Sequence, residues 1–122
     1  MVMPQNEFNS DQVFPSCTWT PAGLARFLRH LVPQMEARGV EIFLGTMERA
    51  DERLVEQVLA DEEIGGRISG VGFQWAGKGA VARIHWAHPE LRIYQSEQEC
   101  GDGKNFTRLI RRPYKIRQYH IL

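Results

Sequence analysis

Four short apolar segments, each running into polar residues, constrain the fold of this chain more than any other feature. They cover residues 1–7, 40–48, 68–75 and 91–97. Segments with helical spacing of apolar residues separate them, so the predicted element order is β-α-β-α-β-α-β. Alternation of this kind produces crossover connections and a parallel sheet. The sequence therefore predicts an α/β fold with parallel strands.

The polar residues at the strand ends form the first candidate site. In α/β folds, the carboxyl edge of a parallel sheet is where ligands and catalytic side chains gather. The residues predicted to converge at this edge are Glu7, Glu48, Gln74, Trp75 and Glu97. Two glutamates at two strand ends, Glu7 and Glu97, suit an acid/base and nucleophile pair.

Glu99 is an alternative to Glu97 as the second site carboxylate. Glu97 and Glu99 point to opposite faces if the strand continues through both, so only one of them can face the site. Glu97 is nearer the apolar run and is the better candidate. Asn6 precedes Glu7, and an amide beside a carboxylic acid suits recognition of sugar hydroxyl groups together with proton donation.

The helices have recognisable ends. Thr20 is predicted to cap the first helix, with Pro21 at its first position, and Asp51 is predicted to cap the second. Pro33 is expected to break or kink the first helix. A short third helix is predicted over residues 78–86.

Composition limits the classes of function. The chain has 122 residues, 43% apolar content and no formal net charge, which fits one globular domain or a piece of one and gives no global attraction to nucleic acid. Cys17 and Cys100 are too few for a disulfide scaffold, and His85 and His88 lack a third metal ligand at suitable spacing. No apolar run approaches a membrane span of about 18 residues, and no signal peptide opens the chain. If Met1 is the true start, a cytosolic product is expected; if the chain is a fragment, that expectation does not hold.

The last residues differ in kind from the rest. Residues 106–122 are basic, carry interleaved aromatic side chains and contain no acidic residue. A nucleic-acid-binding segment and a solvated or poorly ordered tail are both compatible with this pattern, and the tail is the favoured interpretation.

Several motifs, taken in order, resemble glycoside hydrolase family 30, the glucosylceramidase-like group of retaining glycosidases. The resemblance covers about residues 1–105 and leaves residues 106–122 as an unmatched basic tail. The motifs are Gln5-Asn6-Glu7, Cys17, Thr20-Pro21, Ile42-Phe43-Leu44-Gly45-Thr46-Met47-Glu48-Arg49, Val71-Gly72-Phe73-Gln74-Trp75 and Ser96-Glu97.

The resemblance implies a fold and a set of roles. It implies that residues 1–105 form part of a (β/α)8 TIM barrel, corresponding to strands four to seven. Glu7 would be the general acid/base and Glu97 the nucleophile. Asn6 would bind the sugar 2-hydroxyl, and Trp75 and Gln74 would help to line the sugar site. No cofactor or metal is implied.

The resemblance also implies an activity, with departures that bear on specificity. The reaction would be retaining hydrolysis of a β-glycosidic bond, such as that of glucosylceramide or a related β-glucoside, in a carbohydrate or glycolipid substrate. Phe8 stands where the family often has proline, and Ala76 stands where it often has tyrosine. Family members are usually secreted, periplasmic or lysosomal.

A whole barrel needs about 250 residues, and this chain supplies about half of one. We therefore expect a truncated piece that lacks strands one to three and eight and has little or no activity alone. The alternative is a small parallel α/β binding domain without catalysis.

Overall fold

The computed structural model describes residues 1–13 and 16–97. They contain a parallel sheet of three strands, β1 (Ile42–Met47), β2 (Ile68–Gln74) and β3 (Arg92–Glu97), in that spatial order. Helices alternate with the strands along the chain, so the predicted α/β class and parallel order are confirmed. The strands form one open sheet and not a closed barrel. Glu99, Cys100 and the basic tail over residues 106–122 lie outside the described residues.

The predicted first strand, over residues 1–7, is much shorter in the structure. Only Val2 pairs with Ile42, as a parallel bridge. Val2 N donates to Glu41 O over 2.8 Å, and Phe43 N donates to Val2 O over 3.0 Å. Pro4 follows and has no N–H group to continue a ladder, which is the physical reason why the prediction of a full strand was wrong. The segment still runs beside β1 as the neighbour on its other side.

The first helix, α1 (Pro21–Glu36), begins as predicted. Thr20 is its N-cap, and the Thr20 hydroxyl accepts a hydrogen bond from Gly23 N over 3.1 Å. Pro33 was predicted to break or kink this helix; the helix continues past it to Glu36, so the predicted break does not occur. Pro33 lies in the last turn, where its missing N–H removes only one intrahelical bond.

The other helices are shorter. Asp51 caps α2 (Glu52–Leu59) by accepting from Leu54 N over 3.4 Å, as predicted. The helix predicted over residues 78–86 is divided in two: a 3-10 helix spans Trp75–Ala80, and α3 spans Val81–Ala87. Among the described residues, no helix combines the length and the apolar character needed to cross a bilayer.

All three helices pack against one face of the sheet. Leu44 and Val71 belong to the same buried cluster as Leu28 of α1, Val55 of α2 and Ile84 of α3. Because successive strand residues point to opposite faces, the residues next to Leu44 and Val71 face away from the helices. The face opposite the helices therefore carries a different set of residues: Phe43, Gly70, Gly72 and Tyr94.

Glycines allow this opposite face to pack closely. A Cβ atom at Gly70 would lie 2.2 Å from both Arg92 O and the Phe43 ring, and one at Gly72 would lie 2.6 Å from Met3 Sδ. Glycine at these two positions therefore permits the close approach of Met3, Phe43 and β3 to β2. Phe43 is fully buried, its ring centroid lies 5.3 Å from that of Tyr94, and the Arg92 guanidinium lies 5.0 Å from the Phe43 centroid.

Candidate functional site

The structure brings four of the predicted site residues to the carboxyl edge of the sheet. Gln74 ends β2 and Glu97 ends β3, and their Cα atoms are partners across the two strands. Glu7 lies in the turn that follows the segment beside β1, and Trp75 directly follows Gln74. This arrangement follows from the parallel direction of the strands, which the sequence pattern predicts.

Thr46, near the end of β1, connects the residues on one side of this edge. Its backbone N–H donates to Gln5 O over 2.7 Å. Its hydroxyl accepts from Glu7 N over 3.1 Å and donates to Asn6 Oδ1 over 2.9 Å. Thr46 is only 6% exposed, so its own side of these bonds is shielded from water while Asn6 remains exposed. One side chain thus contacts both Asn6 and Glu7.

These bonds define how the Asn6 amide is oriented. Asn6 Oδ1 accepts from the Thr46 hydroxyl and also from Gln74 Nε2, over 3.4 Å. Asn6 is exposed, and its Nδ2 has no hydrogen-bond partner among the described residues. An amide nitrogen carries two donor protons. The free end of Asn6 therefore offers hydrogen-bond donors to a ligand at the edge.

Gln74 supports Asn6 from inside the sheet. It is 1% exposed, so its side chain reaches Asn6 and not solvent. Gln74 Oε1 is buried and has no hydrogen-bond partner within the described part of the chain. A buried acceptor without a donor costs about 1–3 kcal/mol. The role of Gln74 in lining a sugar site remains a prediction.

The backbone is unusual at two of the edge residues. Glu7 has φ +50° and Trp75 has φ +48°, a left-handed conformation that non-glycine residues rarely adopt. It costs about 1–2 kcal/mol per residue. At Glu7, the bond from its N–H to Thr46 and the bond from Ser10 N to Glu7 O, 3.0 Å long, hold this conformation. Strain that neighbouring groups hold in place is found mainly at functional sites.

Glu97 is held by its neighbour on β3. The Ser96 hydroxyl donates to Phe73 O over 3.2 Å and so ties the end of β3 to β2. Glu97 is exposed, and Glu7 is half-buried. Neither carboxylate makes a hydrogen bond or ion pair with another residue that the structure describes. Both are therefore accessible acceptors at the same edge.

Glu48, also predicted at this edge, is already occupied. It is 8% exposed, and Arg49 Nε lies 2.7 Å from its Oε2 without the alignment of a hydrogen bond. Asn9 holds this turn, because its Oδ1 accepts from both Glu48 N and Arg49 N and its Nδ2 donates to Arg49 O. An ion-paired carboxylate is less available for chemistry than Glu7 or Glu97.

Sequence reasoning missed Thr46 and Asn9 as supporting residues. In the sequence, Thr46 belongs to the polar end of the predicted second strand, and Asn9 belongs to a polar loop. Their partners lie about forty positions away, Asn6 for Thr46 and Arg49 for Asn9. The only local signal is a hydroxyl or amide side chain placed where an apolar strand ends.

Other candidate chemistry is limited. Within residues 1–13 and 16–97, no three His, Cys, Asp or Glu side chains are grouped to hold a metal ion. His88 Nδ1 lies 3.4 Å from Glu90 Oε1, and Cys17 is a free, exposed thiol.

Comparison with known proteins adds no assignment. No protein-family model matches the chain, and searches of curated proteins and of solved structures return no match.

Proposed function

We propose that this chain carries the catalytic carboxylate pair of a retaining β-glycosidase of the glycoside hydrolase family 30 type. Glu97 is the nucleophile and Glu7 is the acid/base. The observation that carries the proposal is the placement of Asn6-Glu7 and Glu97 at one sheet edge, with Gln74 between them. The order of motifs that resembles the family supports the same assignment.

The one-sided packing of the helices supports a barrel origin for the sheet. Residues of α1, α2 and α3 share one core on one face. A doubly wound sheet has helices on both faces, whereas a (β/α)8 barrel has them only outside. The face with Phe43, Gly70, Gly72 and Tyr94 then corresponds to the inside of a barrel. On this proposal the sheet represents strands four to seven.

The strand order gives an approximate separation for the two carboxyl groups. Glu7 follows the segment beside β1 and Glu97 ends β3, so three strand spacings of about 4.8 Å, about 14 Å in total, separate their backbones. Each glutamate side chain spans about 4 Å through three carbon–carbon bonds of about 1.5 Å. A carboxyl separation close to the retaining value therefore requires both side chains to turn toward each other across a curved sheet. Retaining enzymes have roughly 5–5.5 Å.

The mechanism uses these side chains in two steps. Glu97 attacks the anomeric carbon while protonated Glu7 gives its proton to the leaving oxygen, which forms a glycosyl–enzyme ester. Glu7 then takes a proton from water, and that water attacks the ester and releases the sugar. Asn6 Nδ2 donates to the hydroxyl beside the anomeric carbon, and the Trp75 ring lines the sugar site. This chemistry requires no cofactor.

The substrate class is a β-glucoside, either glucosylceramide or a related compound. The sheet of the described residues is open, so water reaches both carboxylates and weakens each polar contact with a substrate. We therefore expect this chain by itself to turn over substrate very slowly or not at all.

A small parallel α/β binding domain is the second candidate. The exposed Glu97 side chain favours it, because a nucleophile in a working glycosidase is enclosed. In that case the carboxylates of Glu7 and Glu97 are solvated and do not bind one ligand together.

Titration with a glucose-configured iminosugar, followed by NMR, tests the proposal. Its ring ammonium mimics the charge of the oxocarbenium-like transition state and should bind between the carboxylates with a Kd on the order of millimolar. Shifts should centre on Asn6, Glu7 and Glu97. The Glu97→Gln variant should weaken binding about tenfold, and Glu56→Gln, on exposed α2 surface, should not. Shifts elsewhere, or none in the folded chain, would contradict it.

A further inference from the structure

Thr46 is the residue on which Asn6 and Glu7 both depend, although sequence analysis assigns it no role. Its hydroxyl accepts a hydrogen bond from Glu7 N and donates one to Asn6 Oδ1. These two residues are consecutive in the segment that runs beside β1. Its backbone N–H fixes the residue before them, Gln5, over 2.7 Å. Three bonds from one residue thus set the position of residues 5–7.

The chemistry of the hydroxyl determines which end of the Asn6 amide faces Thr46. A hydroxyl has a single proton and two lone pairs. Glu7 N–H can only donate, so it takes a lone pair, and the hydroxyl proton still needs an acceptor. Asn6 Oδ1 supplies that acceptor over 2.9 Å. The opposite orientation would direct amide protons at the hydroxyl and leave its own proton without this acceptor.

Gln74 reinforces the same orientation. Its Nε2 donates to Asn6 Oδ1 from the buried side, so two donors converge on that oxygen. A flipped Asn6 would direct its Nδ2 protons at these donors.

We propose that Thr46 is a positioning residue that locks the Asn6 amide with Nδ2 facing outward and holds Glu7 in its left-handed turn. The edge then presents a pair of N–H donors beside a carboxylate. This arrangement fits a ligand with two neighbouring oxygen atoms. A hydroxyl oxygen would accept from Asn6 Nδ2, and the adjacent glycosidic oxygen would accept the proton of the Glu7 carboxyl group. The ligand assignment rests on the proposed function, whereas the positioning role rests on the ligand-free geometry.

The first measurement is made on the ligand-free chain by NMR. The Asn6 side-chain amide should have an order parameter near that of rigid backbone, about 0.85, in the wild type and in Thr46→Ser, which keeps the hydroxyl. In Thr46→Val, which keeps the branched shape and loses the hydroxyl, it should fall below about 0.6. An equally ordered amide in folded Thr46→Val would overturn the proposal. Should that variant fail to fold, rotamer averaging of the Thr46 or Asn6 side chain in the wild type would overturn it.

The second measurement separates the positioning role from the proposed function. Binding of the glucose-configured iminosugar should weaken about tenfold in Thr46→Val and stay within about twofold of wild type in Thr46→Ser. If the wild type binds no iminosugar but the Asn6 amide still loosens in Thr46→Val, the glycosidase proposal fails and the positioning role stands. Unchanged iminosugar affinity in Thr46→Val would contradict the positioning role while leaving the glycosidase proposal intact.

Discussion

Gln74 lies directly opposite Glu97 at the carboxyl ends of β2 and β3, and its side chain donates to Asn6 on the far side of β1. One buried glutamine therefore connects the two halves of the candidate site. The residues it connects come from opposite ends of the described chain. Its buried amide shares the acceptor Asn6 Oδ1 with the buried Thr46 hydroxyl, so the two polar side chains are held by one hydrogen-bond network.

The left-handed conformation of Glu7 leads to a stability prediction. At φ +50°, glycine is tolerated without steric cost and alanine is not. We expect Glu7→Gly to be about 1 kcal/mol more stable than Glu7→Ala in urea unfolding. The matched pair at Glu56, inside α2, should show the reverse order, with alanine more stable by about 0.8–1 kcal/mol. The same order at both positions would show that Glu7 does not hold this conformation in solution.

The close approach at Gly70 leads to a second prediction. A Cβ atom there would overlap Arg92 O and the Phe43 ring, both at 2.2 Å, so Gly70→Ala must displace β3 or Phe43. We expect it to lower the free energy of unfolding by about 3 kcal/mol. Gly66→Ala is the control, because no atom lies within 4 Å of its added methyl group. It should leave stability unchanged or raise it by up to about 1 kcal/mol. Equal effects would refute the close packing of this face.

Acid should weaken the contact between α1 and the loop after α2. The hydrogen bond from Arg29 lowers the pKa of Asp61, and the hydrogen bond from Arg67 lowers the pKa of Glu36. A carboxylate with a lowered folded-state pKa stabilises the fold above its unfolded pKa, about 3.9 for Asp and 4.3 for Glu. This contribution is lost as the pH falls through the lower folded-state values.

The Arg29→Gln variant isolates this effect. It should be less stable than wild type at pH 7, and the difference should shrink toward zero as the pH falls below about 4. Arg26→Gln changes an exposed arginine on the same helix and should show no such trend. Chemical denaturation of both variants across the acid range is the measurement. A wild-type advantage that does not shrink as the pH falls below about 4 would contradict the role of the Arg29–Asp61 pair.

The fold class could be predicted from the sequence because its signals are local. The caps at Thr20 and Asp51 depend on residues three positions away, and both are confirmed. Strand direction follows from the alternation of elements. Pro4 and Pro33 show where local sequence signals mislead. At Pro4 a missing N–H shortens a strand, whereas at Pro33 the helix tolerates the same loss because it ends one turn later.

The candidate site could be predicted only in part. The positions of Gln74 and Glu97 at strand ends, and of Glu7 after the segment beside β1, follow from the apolar runs, and the structure places them at one edge. The support that Thr46 gives to Asn6 could not be predicted, since it joins residues forty positions apart through a tertiary hydrogen bond. The burial of Gln74 was also unforeseen, because it depends on packing across three neighbouring segments.

Covalent trapping tests the central claim most directly. An activated 2-deoxy-2-fluoro-β-glucoside forms the glycosyl–enzyme ester but slows its hydrolysis, so detection needs one event per molecule and no turnover. Intact-mass and peptide analysis of the 122-residue chain should place a single label on Glu97. The label should be absent in Glu97→Gln and present in Glu99→Gln. A label on Glu99 or Glu48 would contradict the assignment of Glu97 as the nucleophile.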